Sequence, residues 1–140
     1  MNGVIVSADD LGLSPGVTAG ILEAHRSGVV RSTSLLVTFD GAADAAALAR
    51  QERGLEIGIH LDLVGGRPVT DPSRVPSLVD ANGRFHKLPQ LTARLVSGRV
   101  RLGEVAAEIR AQVGRAREWG IEPLAWDSHR HTHLLPPLNR

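Results

Sequence analysis

Two adjacent carboxylates, Asp9 and Asp10, close the apolar run Gly3-Val4-Ile5-Val6-Ser7-Ala8. Leu11-Gly12-Leu13-Ser14-Pro15-Gly16 then opens a helix, so both acids stand where a strand gives way to a loop, the place where open α/β folds carry their chemistry. At such a turn neighbouring side chains can enter one pocket with different partners, and the simplest use of the pair is a metal ligand beside a proton acceptor. Two further regions supply imidazoles: His60 in Gly58-Ile59-His60-Leu61-Asp62, and His129, His131 and His133 in Asp127-Ser128-His129-Arg130-His131-Thr132-His133. The chain has no cysteine, so any bound metal must be held by His, Asp or Glu.

The elements that would position these groups alternate. Residues 3–8 read as a parallel strand buried on both faces, and 15–27 as a helix with Ser14 as N-cap, Pro15 at its first position and Gly28 past its end. A second strand is expected within 29–38, followed by an Ala-rich helix over 41–52 capped by Asp40 and stopped by Gly54. A third strand covers 55–63 and carries His60. Leu102, Val105, Ile109, Val113, Ala116 and Trp119 recur at three- and four-residue steps, which predicts an amphipathic helix over 102–119 stopped by Gly120. Pro123-Leu124-Ala125-Trp126 leads a fourth strand into the His129 cluster. Between Arg67 and Arg99 the sequence is turn-rich, with an Asn82-Gly83 turn between Leu78-Val79 and Phe85; such an excursion, 67–99, reads as a lid or an oligomer contact.

Repeated strand–helix units imply right-handed crossovers and a parallel sheet whose following loops gather on one edge. Asp9, Asp10, His60 and the His129 cluster are therefore expected to converge. The 140 residues suffice for a single domain, 1–140, but four strands make only half of an eight-stranded barrel, which needs about 250 residues. The expectation is an incomplete domain whose open edges are closed by a homo-oligomer or by further chain.

Composition narrows the partners. Sixteen basic and fifteen acidic side chains give a formal charge of +1 with no basic run along one helix, so nucleic acid is not expected. No basic residue precedes the short apolar start, and no window approaches the ~20 apolar residues of a membrane span. The expectation is a soluble, unprocessed, cytoplasmic protein without a membrane span.

Val-Ser-Ala-Asp-Asp-Leu-Gly-Leu-Ser at 6–14, Gly-Ile-His-Leu-Asp-Leu at 58–63, Ser-Leu-Val-Asp-Ala-Asn-Gly-Arg-Phe at 77–85 and Asp-Ser-His-Arg-His-Thr-His at 127–133 resemble the YdjC-like carbohydrate deacetylases. The four ordered motifs span essentially the whole chain, but only about the N-terminal half or more of the family's usual fold. The resemblance implies an α/β fold, the N-terminal portion of a distorted TIM-like (β/α) barrel with parallel strands. It also implies removal of N-acetyl groups from a small acetylated sugar or oligosaccharide with one divalent metal ion, Mg2+ or Zn2+. Carried over position by position, Asp10, His60 and His129 would hold that ion and Asp9 would act as base.

The chemistry of these residue types agrees. Two neutral imidazoles and a carboxylate leave coordination positions open, so the ion can polarise an amide carbonyl and acidify a water. A second group must protonate the leaving amine, and His131 or His133 could do so. Asp127 would orient a ligand imidazole. The structural alternatives are that Asp9 or Asp10 caps the Gly12–Gly16 turn, that His60 is a hydrogen-bonded strand-end residue, and that the three His near 130 form a solvated edge if the segment is extended. His25 and His86 read as surface and loop residues, Trp119 and Trp126 as core.

Three rival functions remain. His60-Leu61-Asp62 with His129 imitates the iron-binding triad of non-haem oxygenases, with Arg140 for a cosubstrate carboxylate, but that chemistry normally sits on an all-β jelly roll. A metal-dependent phosphoesterase would use similar ligands, yet no Gly-rich phosphate loop or Lys/Arg cluster accompanies them. A truncated, non-catalytic sugar-binding module is the third.

Overall fold

In a computed structural model, which describes residues 4–139, alternating units build a parallel sheet that curls into a half-barrel with helices on its outer side. The order is β1 (Val6–Leu11), α1 (Pro15–Ser27), β2 (Val30–Leu35), α2 (Ala42–Ala49), β3 (Glu56–Leu61), α3 (Leu88–Val96), α4 (Leu102–Glu118) and β4 (Trp126–Ser128). The strands lie in the sequential order β1-β2-β3-β4, every neighbouring pair parallel. This is the α/β half-barrel expected from the alternation. No helix among the described residues is long and apolar enough to cross a membrane.

Helix α1 follows from its caps. Ser14 accepts a hydrogen bond from the Val17 amide, Pro15 occupies the first turn, and Gly28 is the C-cap. Its buried face is Thr18, Ile21, Leu22 and His25, one stripe at three- and four-residue steps. His25 is thus buried, contrary to the surface reading: Nδ1 lies 2.8 Å from the Val30 carbonyl and Nε2 3.2 Å from that of Arg53. In either neutral tautomer the ring N–H donates to one of these carbonyls.

Three boundaries differ from expectation. Strand β1 runs through Asp9 and Asp10 to Leu11, instead of ending at Ala8, and Val6 and Ser7 are exposed because β1 is a sheet edge; Gly3 lies outside the described residues. Helix α2 starts at Ala42 with Gly41 as N-cap, so Asp40 does not cap it, and it ends at Ala49. Trp126, expected in the core, is 63 % exposed on β4, the other edge, whereas Trp119 packs against the main core.

The 67–99 excursion is an ordered unit. Val79 and Phe85 form an antiparallel bridge around the Asn82-Gly83 turn, where the Asp80 carboxylate accepts the Asn82 and Arg84 amides and Gly83 adopts φ 68°. Helix α3, absent from the expectation, follows with Leu88 and Pro89 in its first turn and Leu91 and Leu95 buried. A core beneath the sheet unites Leu11, Leu35, Ile59 and Ala116, and a second packs Val75, Leu78, Phe85 and Leu91 of the excursion on Leu63 and Val105.

Helix α4 carries a polar stripe beside its apolar one. Glu104, Glu108 and Gln112 follow at four-residue steps on one face. Glu104 accepts the Ser77 amide, Glu108 the Val69 and Thr70 amides, and Gln112 the Asp62 amide. Carboxylates and an amide therefore satisfy backbone donors that the excursion would otherwise bury unpaired.

Burial alone would raise the Glu104 pKa, but hydrogen bonds from the Ser77 hydroxyl and amide, with the Arg101 guanidinium beside it, hold the carboxyl below its usual range. A lowered folded pKa contributes stability above the unfolded value, about 4.3, and loses it as pH falls through the folded value. Glu104→Gln is expected to cost about 1 kcal/mol at neutral pH, a difference that shrinks towards zero as pH falls through the folded value. Urea unfolding of both proteins across that range is the measurement; a gap that widens in acid contradicts the sign.

Candidate functional site

Asp9 and Asp10 occupy an irregularity in the β1–β2 pairing, where the register shifts between Ala8 and Leu11. Asp10 adopts φ 67°, a left-handed conformation that Asp tolerates better than most residues, and such local irregularities re-aim side chains. The Asp10 carboxylate thereby turns to two imidazoles: Oδ1 lies 3.2 Å from His60 Nε2 and 2.7 Å from His129 Nδ1. Ligand atoms of Asp10, His60 and His129 all lie within 4.8 Å of one another.

His60 sits at the centre and is buried. Its Nδ1 lies 2.6 Å from Asp127 Oδ1 and 3.2 Å from Ser34 Oγ. Asp127 is the in-register partner of His60 across β3–β4, so both side chains leave the same face of the sheet. A carboxylate on Nδ1 favours the tautomer protonated there, leaving the Nε2 lone pair towards Asp10. The Ser34 hydroxyl also reaches Asp127 Oδ2 at 3.2 Å and Asp9 Oδ1 at 3.5 Å. Asp9, His60 and Asp127 form a second close group, again within 4.8 Å.

The His129 ring meets His60 edge-on at 5.6 Å and Phe39 at 6.3 Å between centroids. Around these groups lies a cavity of about 600 Å³ lined by Asp9, Asp10, Leu13, His60, Leu88, Ser128, His129, Arg130 and His131. Leu88 brings the excursion to the cavity wall. Next to it, Lys87, Arg130 and His129 line a further cavity of about 400 Å³.

The three histidines near 130 do not share one strand face. After Ser128 the chain enters a 3-10 segment, His129–Leu134, in which Arg130 and His131 hold φ 55° and 53°. His131 lines the Asp9–Asp10 cavity. His133 bonds Ser128 Oγ at 2.6 Å, sets its ring 5.7 Å from Trp126, and lines an apolar cleft with Ile59, Leu61 and Val113. Helix α4 and the outer face of β3 bound that cleft, so it offers no donor set comparable to the Asp10 site. His86 is half-buried in the excursion, its Nε2 buried without a partner. Desolvation, with Arg94 nearby, lowers its pKa.

Sequence reasoning missed Ser34 and Thr38 as parts of this region, and named Asp62 only within the rival iron-binding triad. Ser34 pairs in register with Gly58, two residues before His60, so strand alternation places it on the His60 face. Asp62 is fully buried; burial pushes its carboxyl up, opposed by the Thr38 hydroxyl, the Val64 amide and the nearby His129.

Comparison with known proteins gives a consistent set. A family model described as "YdjC-like protein" matches residues 3–140. A carbohydrate deacetylase of Brevibacillus brevis is 43 % identical over 96 % of this chain and 52 % of its own length. A chitooligosaccharide deacetylase of Serratia marcescens is 41 % identical, again over 96 % of this chain and 52 % of its own. A crystal structure from Enterococcus faecalis V583, described as a candidate cellobiose-phosphate cleavage protein, superposes with a TM-score of 0.84 at 39 % identity, covering 92 % of this chain and 49 % of that one. The chain spans about half the length of the curated relatives it matches.

Arg130 and His131 hold left-handed backbone beside the cavity, a conformation that costs a side-chain-bearing residue about 1–2 kcal/mol. Arg130 is exposed, so its replacement sacrifices little packing. Arg130→Gly is expected to raise stability by roughly 0.5 kcal/mol, strain relief being offset in part by the freer unfolded chain. Denaturant unfolding measures it; a loss of 1 kcal/mol or more would mean that the side chain holds the turn.

Proposed function

The chain belongs to the YdjC-like protein family, and from that premise we propose that it performs metal-dependent hydrolysis of the N-acetyl group of a small acetylated amino sugar or oligosaccharide. The observation that carries the reading is the meeting of Asp10, His60 and His129 within 4.8 Å at one cavity, from β1, β3 and the segment after β4. Two imidazoles and one carboxylate suit a divalent ion with coordination positions left for substrate and water, Zn2+ or Mg2+. Bound there, such an ion supplies polarisation of the acetamide carbonyl and a more acidic water.

The side chains divide the remaining work. Asp10, His60 and His129 hold the ion. Asp127 and Ser34 keep the His60 ring turned with Nε2 towards Asp10. Asp9, exposed and reached by the Ser34 hydroxyl at 3.5 Å, takes the proton from the attacking water. His131, on the cavity lining, gives a proton to the departing amine; His133, turned to the apolar cleft, is the weaker candidate. Leu88 and the 67–99 excursion form one wall of a single domain, 1–140. Its open β1 and β4 edges are closed by a second copy or by the part of the fold that the relatives carry beyond the matched half.

A second substrate reading rests on the adjoining cavity, where Lys87 and Arg130 stand beside His129. With the phosphorylated disaccharide named for the Enterococcus faecalis neighbour, the two cations support a sugar that carries an anionic group.

Calorimetric titration with Zn2+ and with Mg2+ tests the centre. One ion per chain is expected, lost in His60→Ala and in His129→Ala. Asp9→Asn is expected to keep the ion while acetate release falls by about 10²- to 10⁴-fold. Saturable binding that survives both histidine substitutions removes the proposed ligand set.

A further inference from the structure

The buried polar groups just beyond β3 form one connected unit that the proposed chemistry does not use. Asp62 stands two residues after His60, and all of its hydrogen-bonding groups are engaged. Its amide donates to Gln112 Oε1 at 2.9 Å, and its carbonyl accepts from Gln112 Nε2 at 2.6 Å. Its carboxylate accepts the Thr38 hydroxyl at 2.6 Å and the Val64 amide at 2.7 Å. Gln112 Nε2 also donates to Glu108 Oε1 at 2.9 Å, and Glu108 accepts the Val69 and Thr70 amides. Asp62, Glu108 and Gln112 are wholly buried and Thr38 nearly so.

This unit costs more than apolar packing would. Asp62 and Glu108 are two buried carboxylates without a Lys or Arg partner among the described ion pairs, and buried polar groups stabilise little unless every one is satisfied. Such a network specifies geometry. It grips β3 immediately after His60, and through Thr38 it grips the loop whose next residue, Phe39, packs edge-on to His129. A Cβ on Gly66 would lie 2.5 Å from Asp62 Oδ2 and 2.6 Å from Thr38 Oγ1, so the excursion's first turn is closed tightly over the same bond.

We infer that Thr38, Asp62, Glu108 and Gln112 are positioning residues that fix the His60 and His129 rings for the cation. The inference rests on the metal reading above for its purpose, though the ring placement itself can be measured without metal. A merely structural network would lower stability alone; a positioning network also moves the rings.

The test uses the full 140-residue chain with Thr38→Val, which deletes one hydroxyl at nearly constant volume, and Thr38→Ser, which restores it. Ile21→Val, a core truncation on α1 away from β3, is the stability control. Zn2+ and Mg2+ titrations are paired with 1H–15N spectra of the His60 and His129 rings in metal-free protein. Expected is a dissociation constant raised about ten-fold in Thr38→Val, unchanged within about two-fold in Thr38→Ser and Ile21→Val, with ring resonances displaced only in Thr38→Val. Gln112→Met probes the other end, with the same expected loss. Wild-type affinity and unmoved rings in Thr38→Val overturn the inference, as do equal displacements in Ile21→Val. If the wild-type chain binds neither ion, the metal reading fails and the ring spectra alone decide the positioning role.

Discussion

One imidazole holds contacts from the three other strands. His60, on β3, takes Asp10 of β1 on Nε2 and Asp127 of β4 on Nδ1, while Ser34 of β2 reaches the same Nδ1. The consequence for shape is direct. β1 and β4 are the two edges of the sheet, three strand spacings apart, which in a flat sheet is about 14 Å. Yet Asp10 Oδ1 and His129 Nδ1, from the ends of those edges, lie 2.7 Å apart. Only a sheet curled like part of a barrel brings them together, so the curvature and the site are one constraint. The irregular register at Asp9 and Asp10 supplies the last turn of the carboxylate inward.

Charge supports the proposed reading of this cluster as a cation site. Asp9, Asp10 and Asp127 crowd one imidazole pair, and no Lys or Arg appears in an ion pair with them among the described residues. Two imidazoles can donate to only some of these oxygens; in the proposed reading a divalent cation would pair with the carboxylates and use the lone pairs that the Asp127 contact leaves facing the centre. The ion-pair arrangement on the outer surface is different in kind: Arg26 with Glu52 and Arg117 with Glu122 are solvent-facing matches of single charges.

What was legible in the sequence follows from periodicity and caps. Ser14, Pro15 and Gly28 marked α1, the strand–helix alternation gave a parallel sheet, and the rule that following loops share an edge gathered Asp10, His60 and His129. Misreadings occurred where burial came from context. The apolar start of β1 suggested a strand covered on both faces, but edge position leaves it exposed; Trp126 was misread for the same reason. α3 was hidden because Lys87 provides no side-chain cap and Pro89, a breaker inside a helix, is tolerated in its first turn. His133 was grouped with His129 by period-two spacing, which fails once Arg130 and His131 turn left-handed. His25 had a visible signal, since it continues the Thr18, Ile21, Leu22 stripe.

The polar stripe of α4 is the least legible feature and ties the pieces together. A search for apolar periodicity assigns Glu104, Glu108 and Gln112 to a solvated face, because charge on a helix usually means water. Here the adjoining partner is backbone, not solvent: amides at 62, 69, 70 and 77 need acceptors, and four-residue steps present three acceptors in line. The same helix thereby fixes the end of β3 and docks the excursion. Phe85 donates its amide to the Gly66 carbonyl and Arg67 to that of Thr38, so the excursion is stitched to the β2 and β3 loops as well. Leu88 on the cavity wall is therefore held in the same frame as His60. A wall built this way can define the shape of what enters the site, because its position is set by the bonds that set the ligands.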